Sequence, residues 1–173
     1  VLFRSLPGGS AAGDRTTLRY GEVLTPEGEL YTDNLRNARQ TDVYIAKGPD
    51  PAVYTPCFTF HGFRYVEIDG YRGTLTADSL IGEVMHSAMD VTGSVETSDA
   101  LVNRLFANIL WTQRGNFLSV PTDCPQRTER IGWTGDAQIF CRTATYSMEV
   151  HTFFTKWLRD LRDNQQASGA ITD

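Results

Sequence analysis

The hydrophobic pattern of this chain changes once along its length, and that change limits what the chain can fold into. Up to about Met85, short apolar or alternating runs are separated by turn residues, which is typical of β-strands. After Gly93, apolar residues recur at intervals of three and four positions, as on one face of a helix. The sequence therefore predicts an α+β chain in which sheet precedes helix.

Turn residues separate five predicted strands in the first part of the chain. Pro26-Glu27-Gly28 and Asp69-Gly70 are among these turns, and they favour the backbone conformations that strand connections need. The predicted organisation is an irregular segment at 1–20, whose last residues are strand-like, followed by a β-sandwich portion at 21–97. The predicted strands are 16–20, 43–45, 57–60, 63–68 and 80–85.

Two helices are predicted at 98–173. Ser98 is a suitable N-cap for the first, which is expected from Asp99 to about Gln113. Thr134 is a suitable N-cap for the second, a long helix expected to continue through Leu161. The loop between the two helices contains two prolines and many charged side chains, and functional residues often collect in such loops.

Composition excludes several classes of function. The formal net charge of −5, from 16 basic and 21 acidic residues, disfavours nucleic acid as a partner because binding to phosphates needs clustered Lys and Arg. No apolar run approaches the roughly 18 residues of a membrane-spanning helix, so no membrane partner is expected. The three cysteines form no C-x-x-C pair, and neither a metal site nor a cofactor is expected.

The loop between the predicted helices carries a candidate sugar-binding site. Asp123, Glu129 and Asp136 fall within 14 residues, together with Arg127 and Trp133. Carboxylates accept hydrogen bonds from sugar hydroxyls, an aromatic ring covers an apolar sugar face, and one acid can protonate a glycosidic oxygen. The composition of the loop therefore favours glycoside chemistry.

Each of these residues also has a purely structural interpretation. Asp136 lies in the first turn of a predicted helix, where the helix dipole favours a carboxylate. Glu129 can form a surface ion pair with Arg130 or Arg127, which contributes little stability. Trp133 can be a hydrophobic staple or a core residue, and Asp123 can be a turn residue. The individual residues leave both interpretations open.

The whole string is more informative than its members. Asp-Cys-Pro-Gln-Arg-x-Glu-Arg-x-Gly-Trp-Thr-Gly-Asp, at 123–136, resembles the signature of the bacterial α-L-rhamnosidases, family 78 of the glycoside hydrolases. Three other segments, at 31–42, 60–67 and 108–122, also resemble that family. The resemblance thus covers most of the chain from about Gly21 onward.

The resemblance implies a β-sandwich followed by the first helices of an (α/α)6 toroid at 98–173. It also implies inverting hydrolysis of terminal α-L-rhamnosyl groups, with a rhamnose-containing glycoside or polysaccharide as the partner. Glu129 matches the general acid, while Asp123 and Asp136 match carboxylates that bind rhamnose hydroxyls. Trp133 matches an aromatic that packs on the sugar, and Arg127 is expected to orient a carboxylate or to contact substrate.

The second catalytic carboxylate is expected to lie outside this chain. Twelve helices with their loops need roughly 180–220 residues, and only about 75 follow Ser98. We therefore expect the 173 residues alone to be inactive, with apolar helix faces exposed. Two other functions are compatible with the residues: a non-catalytic carbohydrate-binding β-sandwich with a helical connector, and a non-catalytic interaction module.

Overall fold

The structure is a computed structural model that describes residues 9–171. Backbone proximity divides the chain into two units, each described by itself. The strand unit comprises 1–84 together with 126–128, and the helix unit comprises 85–125 together with 129–173.

The α+β class predicted from the sequence is confirmed, because the longer strands come before the three α-helices within residues 9–171. Two short 3-10 helices, Asp33–Leu35 and Ala77–Ser79, also lie in the strand unit. In chain order the main elements are β1 (Arg15–Gly21), β2 (Val23–Leu24), β3 (Leu30–Tyr31), β4 (Thr41–Ile45), β5 (Tyr65–Asp69), α1 (Ala100–Asn116), β6 (Phe117–Leu118), β7 (Val120–Pro121), α2 (Thr134–Ser147) and α3 (His151–Asp163).

Strand β1 is the centre of the sheet in the strand unit. It pairs antiparallel with β4 on one side and β5 on the other, and Leu18 lies opposite both Asp42 and Ile68. Side chains of a strand alternate between faces, and in β1 the buried ones are Thr16, Leu18 and Tyr20. Partly buried side chains that pack on Leu18 and Tyr20 are those of Tyr54, Phe63, Val66, Ile68 and Leu80.

Two predicted turns are confirmed around glycines with positive φ. Gly28 has φ +90° between β2 and β3, and its N–H donates to the Thr25 carbonyl at 2.9 Å. Gly70 has φ +77° after β5, and a Cβ there would lie 2.3 Å from the carbonyl oxygen of Arg15. Only glycine fits that position, because a side chain would collide with backbone of β1.

Of the predicted strands, 16–20 is confirmed as most of β1, whose alternate side chains fill the core, whereas two others are wrong. The predicted strand at 57–60 is absent, and Phe58 there is fully exposed with φ +60°. The predicted strand at 80–85 is also absent, since no described strand pairs with it. Residues 1–8 lie outside the described residues.

Helix α1 confirms the first predicted helix with shifted ends. Asp99 is the N-cap, and its side chain accepts a hydrogen bond from the N–H of Leu101 at 2.8 Å. The predicted cap, Ser98, is one residue too early, because Ser and Asp are equally good caps and the pattern does not separate them. The helix continues to Asn116, beyond the predicted end near Gln113.

The long second helix of the prediction is two helices. Met148 has an extended backbone and forms an isolated antiparallel bridge with Val91, and the N–H of Glu149 donates to the Asp90 carbonyl at 2.9 Å. These contacts with a distant segment interrupt the helix at 148–150. Trp133, rather than Thr134, occupies the N-cap position of α2, since Thr134 is already helical.

The core of the helix unit is built around an aromatic pair. Phe117, directly after α1, stacks on Phe153 of α3 with ring centroids 4.6 Å apart. The other buried members of this core are Ala144, Met148 and Val150. Strands β6 and β7 form a tight hairpin beside this core, and the loop with the candidate residues follows β7.

The boundary between the strand unit and the helix unit follows residue 84. Residues 85–97 belong to the helix unit, because their backbone pairs with it. The N–H of Ser87 donates to the Phe117 carbonyl at 2.8 Å, and a Cβ on Gly93 would lie 1.6 Å from the carbonyl oxygen of Tyr146. This close approach requires glycine at position 93.

The helices expose apolar side chains, as expected from the sequence. Leu101 and Leu105 of α1, Ile139 of α2 and Leu158 of α3 are each more than half exposed. Among residues 9–171, no helix is long and apolar enough to cross a membrane.

Candidate functional site

The candidate site lies on the irregular loop between β7 and α2, and this loop is closed by its own hydrogen bonds. The N–H of Asp123 donates to the Ile131 carbonyl at 3.1 Å, and the N–H of Ile131 donates to the Asp123 Oδ1 at 3.0 Å. Arg130, just before this contact, has φ +55°, which is uncommon for a residue other than glycine. Such a conformation persists where surrounding contacts fix it, so the loop has a defined shape.

Glu129 is held by the aromatic residue four positions later. The indole N–H of Trp133 donates to Glu129 Oε1 at 3.2 Å, and both side chains are half-buried. Because Trp133 is the N-cap residue of α2, its backbone is anchored to the start of that helix. The helix therefore orients the carboxyl group of Glu129 through the indole ring.

Asp123 and Asp136 line one cavity of about 230 Å³ in the helix unit. Asp136 is exposed in the first turn of α2, and Asp123 is half-buried at the start of the loop. The rings of Phe117 and Phe140 line the same cavity. Two carboxylates facing apolar rings suit a small ligand that has both hydroxyls and an apolar face.

Three atoms that could bind a metal ion lie close together around Asp123. One oxygen of Asp123, the thiol sulfur of buried Cys124 and one oxygen of Glu129 lie within 4.8 Å of one another. A calcium site takes six to eight oxygen ligands and a structural zinc site takes four ligands, so this mixed set of three matches neither. Both carboxylates also accept hydrogen bonds from the loop, and we assign no metal here.

The two arginines of the loop differ in their surroundings. Arg130 is half-buried, and burial lowers the pKa of its guanidinium, an effect that the nearby Cys124 opposes. Arg127 is half-buried and groups with the strand unit as part of 126–128. The structure thus brings Glu129 to Trp133 and Asp123, and Asp136 to the cavity of Asp123. Arg127, Glu129 and Trp133 do not line this cavity, and Arg127 groups with the strand unit.

The strand unit contains a buried polar network that was not predicted from the sequence. The Tyr20 hydroxyl donates to Asp42 Oδ2 at 2.8 Å, and His61 Nε2 lies 2.9 Å from the same oxygen. His61 Nδ1 also contacts Gln40 Oε1, and Gln40 Nε2 donates to the backbone carbonyl of Gln126. The available signal was weak, because Asp42 lies directly before the predicted strand 43–45 and His61 lies between two predicted strands.

Tyr20 is fully buried and stacks on His61, with ring centroids 4.1 Å apart. Burial raises the pKa of the Tyr20 hydroxyl well above its ordinary value, and its hydrogen bond to Asp42 adds to this shift. Burial also raises the pKa of Tyr54, with the Asp42 charge as a further cause. Tyr20 is therefore a neutral donor in this network at all ordinary pH values.

Two family models match the chain, one after the other. Residues 4–86 match the bacterial α-L-rhamnosidase concanavalin-like domain, and residues 90–173 match the bacterial α-L-rhamnosidase six-hairpin glycosidase domain. The two matches meet close to the boundary between the strand and helix units.

Curated relatives and solved structures agree with these matches. The chain is 54% identical over 162 residues to an α-L-rhamnosidase of Streptomyces avermitilis, covering 94% of this chain and 16% of the relative. It is 44% identical to one of Formosa agariphila, covering 92% of this chain and 17% of that protein. The chain thus spans about one sixth of the length of these relatives.

Among solved structures, the Streptomyces avermitilis α-L-rhamnosidase complexed with L-rhamnose matches with a TM-score of 0.93 and 50% identity. That match covers 100% of this chain and 17% of the other. The α-L-rhamnosidase of Dictyoglumus thermophilum matches with a TM-score of 0.94 and 40% identity, over 99% of this chain and 19% of the other.

Proposed function

This chain belongs to the bacterial α-L-rhamnosidases, and from that premise we propose that it carries the acid side of an inverting glycosidase site. The proposed reaction is hydrolysis of terminal, non-reducing α-L-rhamnosyl residues. The observation that carries the proposal is the loop at 123–136, where Trp133 donates to Glu129 and an oxygen of Asp123 lies within 4.8 Å of a Glu129 oxygen. Asp123 also lines a cavity together with Asp136. The alternative of a carbohydrate-binding β-sandwich is less well supported, because these residues lie in the helix unit.

Glu129 is the proposed general acid, which donates a proton to the departing glycosidic oxygen. One Glu129 oxygen accepts the indole N–H of Trp133, so the carboxyl group is held while its other oxygen carries the transferable proton. Asp123 lies close by, with an oxygen within 4.8 Å of a Glu129 oxygen.

Asp123 is a poor candidate for the general base. Inverting glycosidases separate their two catalytic carboxyl groups by about 6.5–9.5 Å, which leaves room for the attacking water. The separation of at most 4.8 Å between oxygens of Asp123 and Glu129 is too short for a water molecule in line with the sugar. We propose that the general base lies outside these 173 residues, as the much greater length of the relatives allows.

Substrate binding is assigned to the cavity side of the loop. Asp136 is exposed at the cavity and is proposed to accept hydrogen bonds from sugar hydroxyls, and Asp123, which lines the same cavity, is proposed as a second sugar-binding carboxylate. The structural relative from Streptomyces avermitilis was solved with L-rhamnose, which supports this sugar as the ligand. Arg127 completes the proposed set as a substrate contact or as an orienting partner for a carboxylate, and Trp133 as the aromatic surface for the sugar.

Replacing Glu129 by Gln tests the proposal directly. Donation of a proton by a positioned acid accelerates departure of a poor leaving group by roughly 10²–10⁴-fold, whereas a good leaving group needs less help. We expect the Glu129→Gln variant of the full-length enzyme to lose activity on alkyl or sugar rhamnosides and to retain more on nitrophenyl rhamnosides. Equal losses on both types of substrate would assign Glu129 to binding.

Assaying the 173-residue chain alone tests the proposed location of the base. Without a carboxylate to activate water, the chain should not hydrolyse an alkyl α-L-rhamnoside, a substrate whose poor leaving group makes turnover depend strongly on the acid. The Glu129→Gln variant of the same 173 residues, purified in the same way, is the control for a contaminating glycosidase. Turnover by the unmodified chain that disappears in this variant would place the base within the 173 residues.

A further inference from the structure

The polar network of the strand unit ends on the loop that carries the proposed acid. Its last hydrogen bond runs from the Gln40 side chain to the backbone carbonyl of Gln126, which is 86 positions later in the sequence. Gln126 directly precedes Arg127 and lies three residues before Glu129. A buried side chain from another part of the chain thus holds the middle of the signature loop.

The orientation of the Gln40 amide is fixed by its neighbours. Its Nε2 faces a carbonyl oxygen, which only accepts hydrogen bonds, so the Oε1 must face His61. His61 therefore meets an amide oxygen at Nδ1 and the Asp42 carboxylate at Nε2. Both ring nitrogens face acceptors, and both are satisfied only when the ring is a protonated imidazolium.

Burial makes this arrangement specific. The side chains of His61 and Asp42 are 4% and 10% exposed, so a charge on the ring requires the paired charge of Asp42. Tyr20 donates to the same carboxylate oxygen and stacks on the ring, which limits movement of His61. Gln40 is itself only 4% exposed, so losing either of its partners leaves a buried polar atom unsatisfied.

We propose that Gln40, oriented by the ion pair of His61 and Asp42, is a positioning residue for the loop that carries Glu129. This inference rests on the proposed function, because it takes Glu129 to be the general acid. Gln40 holds the carbonyl of Gln126, while the contacts between Asp123 and Ile131 close the loop on the far side of Glu129. The segment with Arg127 and Glu129 is thereby fixed on both sides.

Gln40→Glu is the sharpest test, because it keeps the size of the side chain and the acceptor for His61. The donor toward Gln126 becomes an oxygen, which repels the carbonyl. We expect hydrogen exchange at the Ile131 amide, which reports loop closure, to become about ten-fold faster, while exchange at Leu18 in β1 changes little. Tyr54→Phe is the matched control, since it removes a hydroxyl bonded to the Val43 carbonyl in the same unit.

A second variant covers the case in which Gln40→Glu does not fold. Gln40→Met keeps the length of the side chain and removes both hydrogen bonds, so it should also speed exchange at Ile131 selectively. If neither variant changes exchange at Ile131 relative to Tyr54→Phe, or if Leu18 and Ile131 lose protection together, Gln40 is an ordinary core residue and the proposal is overturned.

Kinetics of the full-length enzyme provide a second readout. Misplacing an acid by about 1 Å can cost up to about 10²-fold, so Gln40→Glu should lower kcat more than it changes KM. A role limited to stability would leave both constants unchanged at a temperature where the variant is folded. If the unmodified enzyme fails to hydrolyse rhamnosides, the proposed function fails, and the exchange experiment still decides whether Gln40 holds the loop.

Discussion

Asp42 in the strand unit and Asp136 in the helix unit are both carboxylates near aromatic rings, yet their surroundings differ. Asp42 is buried, and Tyr20 and His61 occupy one of its oxygens. Asp136 is exposed and lines a cavity with Phe117 and Phe140. A carboxylate whose partners come from the protein contributes to stability, whereas one that faces an open cavity is available to a ligand.

The largest expected effect is the loss of stability on replacing the buried carboxylate, Asp42. Asp42→Ala leaves the His61 imidazolium in the core without its counter-charge, and breaking a buried pair in this way costs about 3–5 kcal/mol. We expect a large fall in the unfolding free energy from denaturant titration. A fall below about 1 kcal/mol would mean that the pair is not charged, because small effects are typical of exposed pairs.

The matching substitution of the exposed carboxylate is Asp136→Asn, and it should change ligand affinity more than stability. Hydrogen bonds to a charged group contribute about 1.5–3 kcal/mol, so L-rhamnose affinity should fall by roughly 10- to 10²-fold. Loss of a charge from the first turn of α2 costs about 0.3–1 kcal/mol of stability. Calorimetric titration of the full-length enzyme and a melting curve separate the two; unchanged affinity would leave Asp136 as a helix-dipole residue.

Alkaline pH should weaken the strand unit through Tyr20. Burial, and then the hydrogen bond to Asp42, raise the pKa of Tyr20, so the folded state holds this proton more tightly than the unfolded chain does. This stabilisation is complete below about pH 10, where a free tyrosine titrates, and is lost above it by up to about 1.4 kcal/mol per pH unit. Tyr20→Phe should reduce the fall in Tm between about pH 9 and pH 11, and an equal fall in both proteins would contradict this origin.

The sequence shows which loop carries the candidate residues, but it does not show the contacts that hold this loop. The string at 123–136 identified the acidic residues because they are close together in the chain. The network from Gln40 to Gln126 joins residues 86 positions apart, and it forms only after the chain has folded. The break between α2 and α3 has the same origin, because it depends on the bridge between Met148 and the distant Val91. Local patterns carry no information on such pairings.

Trp133 is intermediate between the buried Asp42 and the exposed Asp136, because it is half-buried and its indole N–H donates to Glu129. Three roles of Trp133, as an orienting donor, a sugar surface or a core residue, predict different results on substitution. As an orienting donor, Trp133 is tested by Trp133→Phe, which keeps the ring and removes the N–H. A hydrogen bond contributes about 0.5–1.5 kcal/mol, so kcat should fall by up to about ten-fold with a smaller change in KM.

As a surface for the sugar, Trp133 is tested by Trp133→Ala, which should also raise KM for rhamnosides. Rhamnose carries a methyl group where mannose carries a hydroxymethyl, and an apolar surface rejects the added hydroxyl only by about 10²-fold. The difference in kcat/KM between rhamnosides and mannosides of matching configuration should therefore narrow in this variant.

A core residue behaves differently, since losing a buried tryptophan costs about 3–5 kcal/mol of stability. Because Trp133 is only half-buried, we expect a smaller loss of Tm together with a reduced kcat/KM ratio between the two sugars. A large loss of stability with an unchanged ratio would assign Trp133 to the core and leave the apolar face of the sugar to another residue.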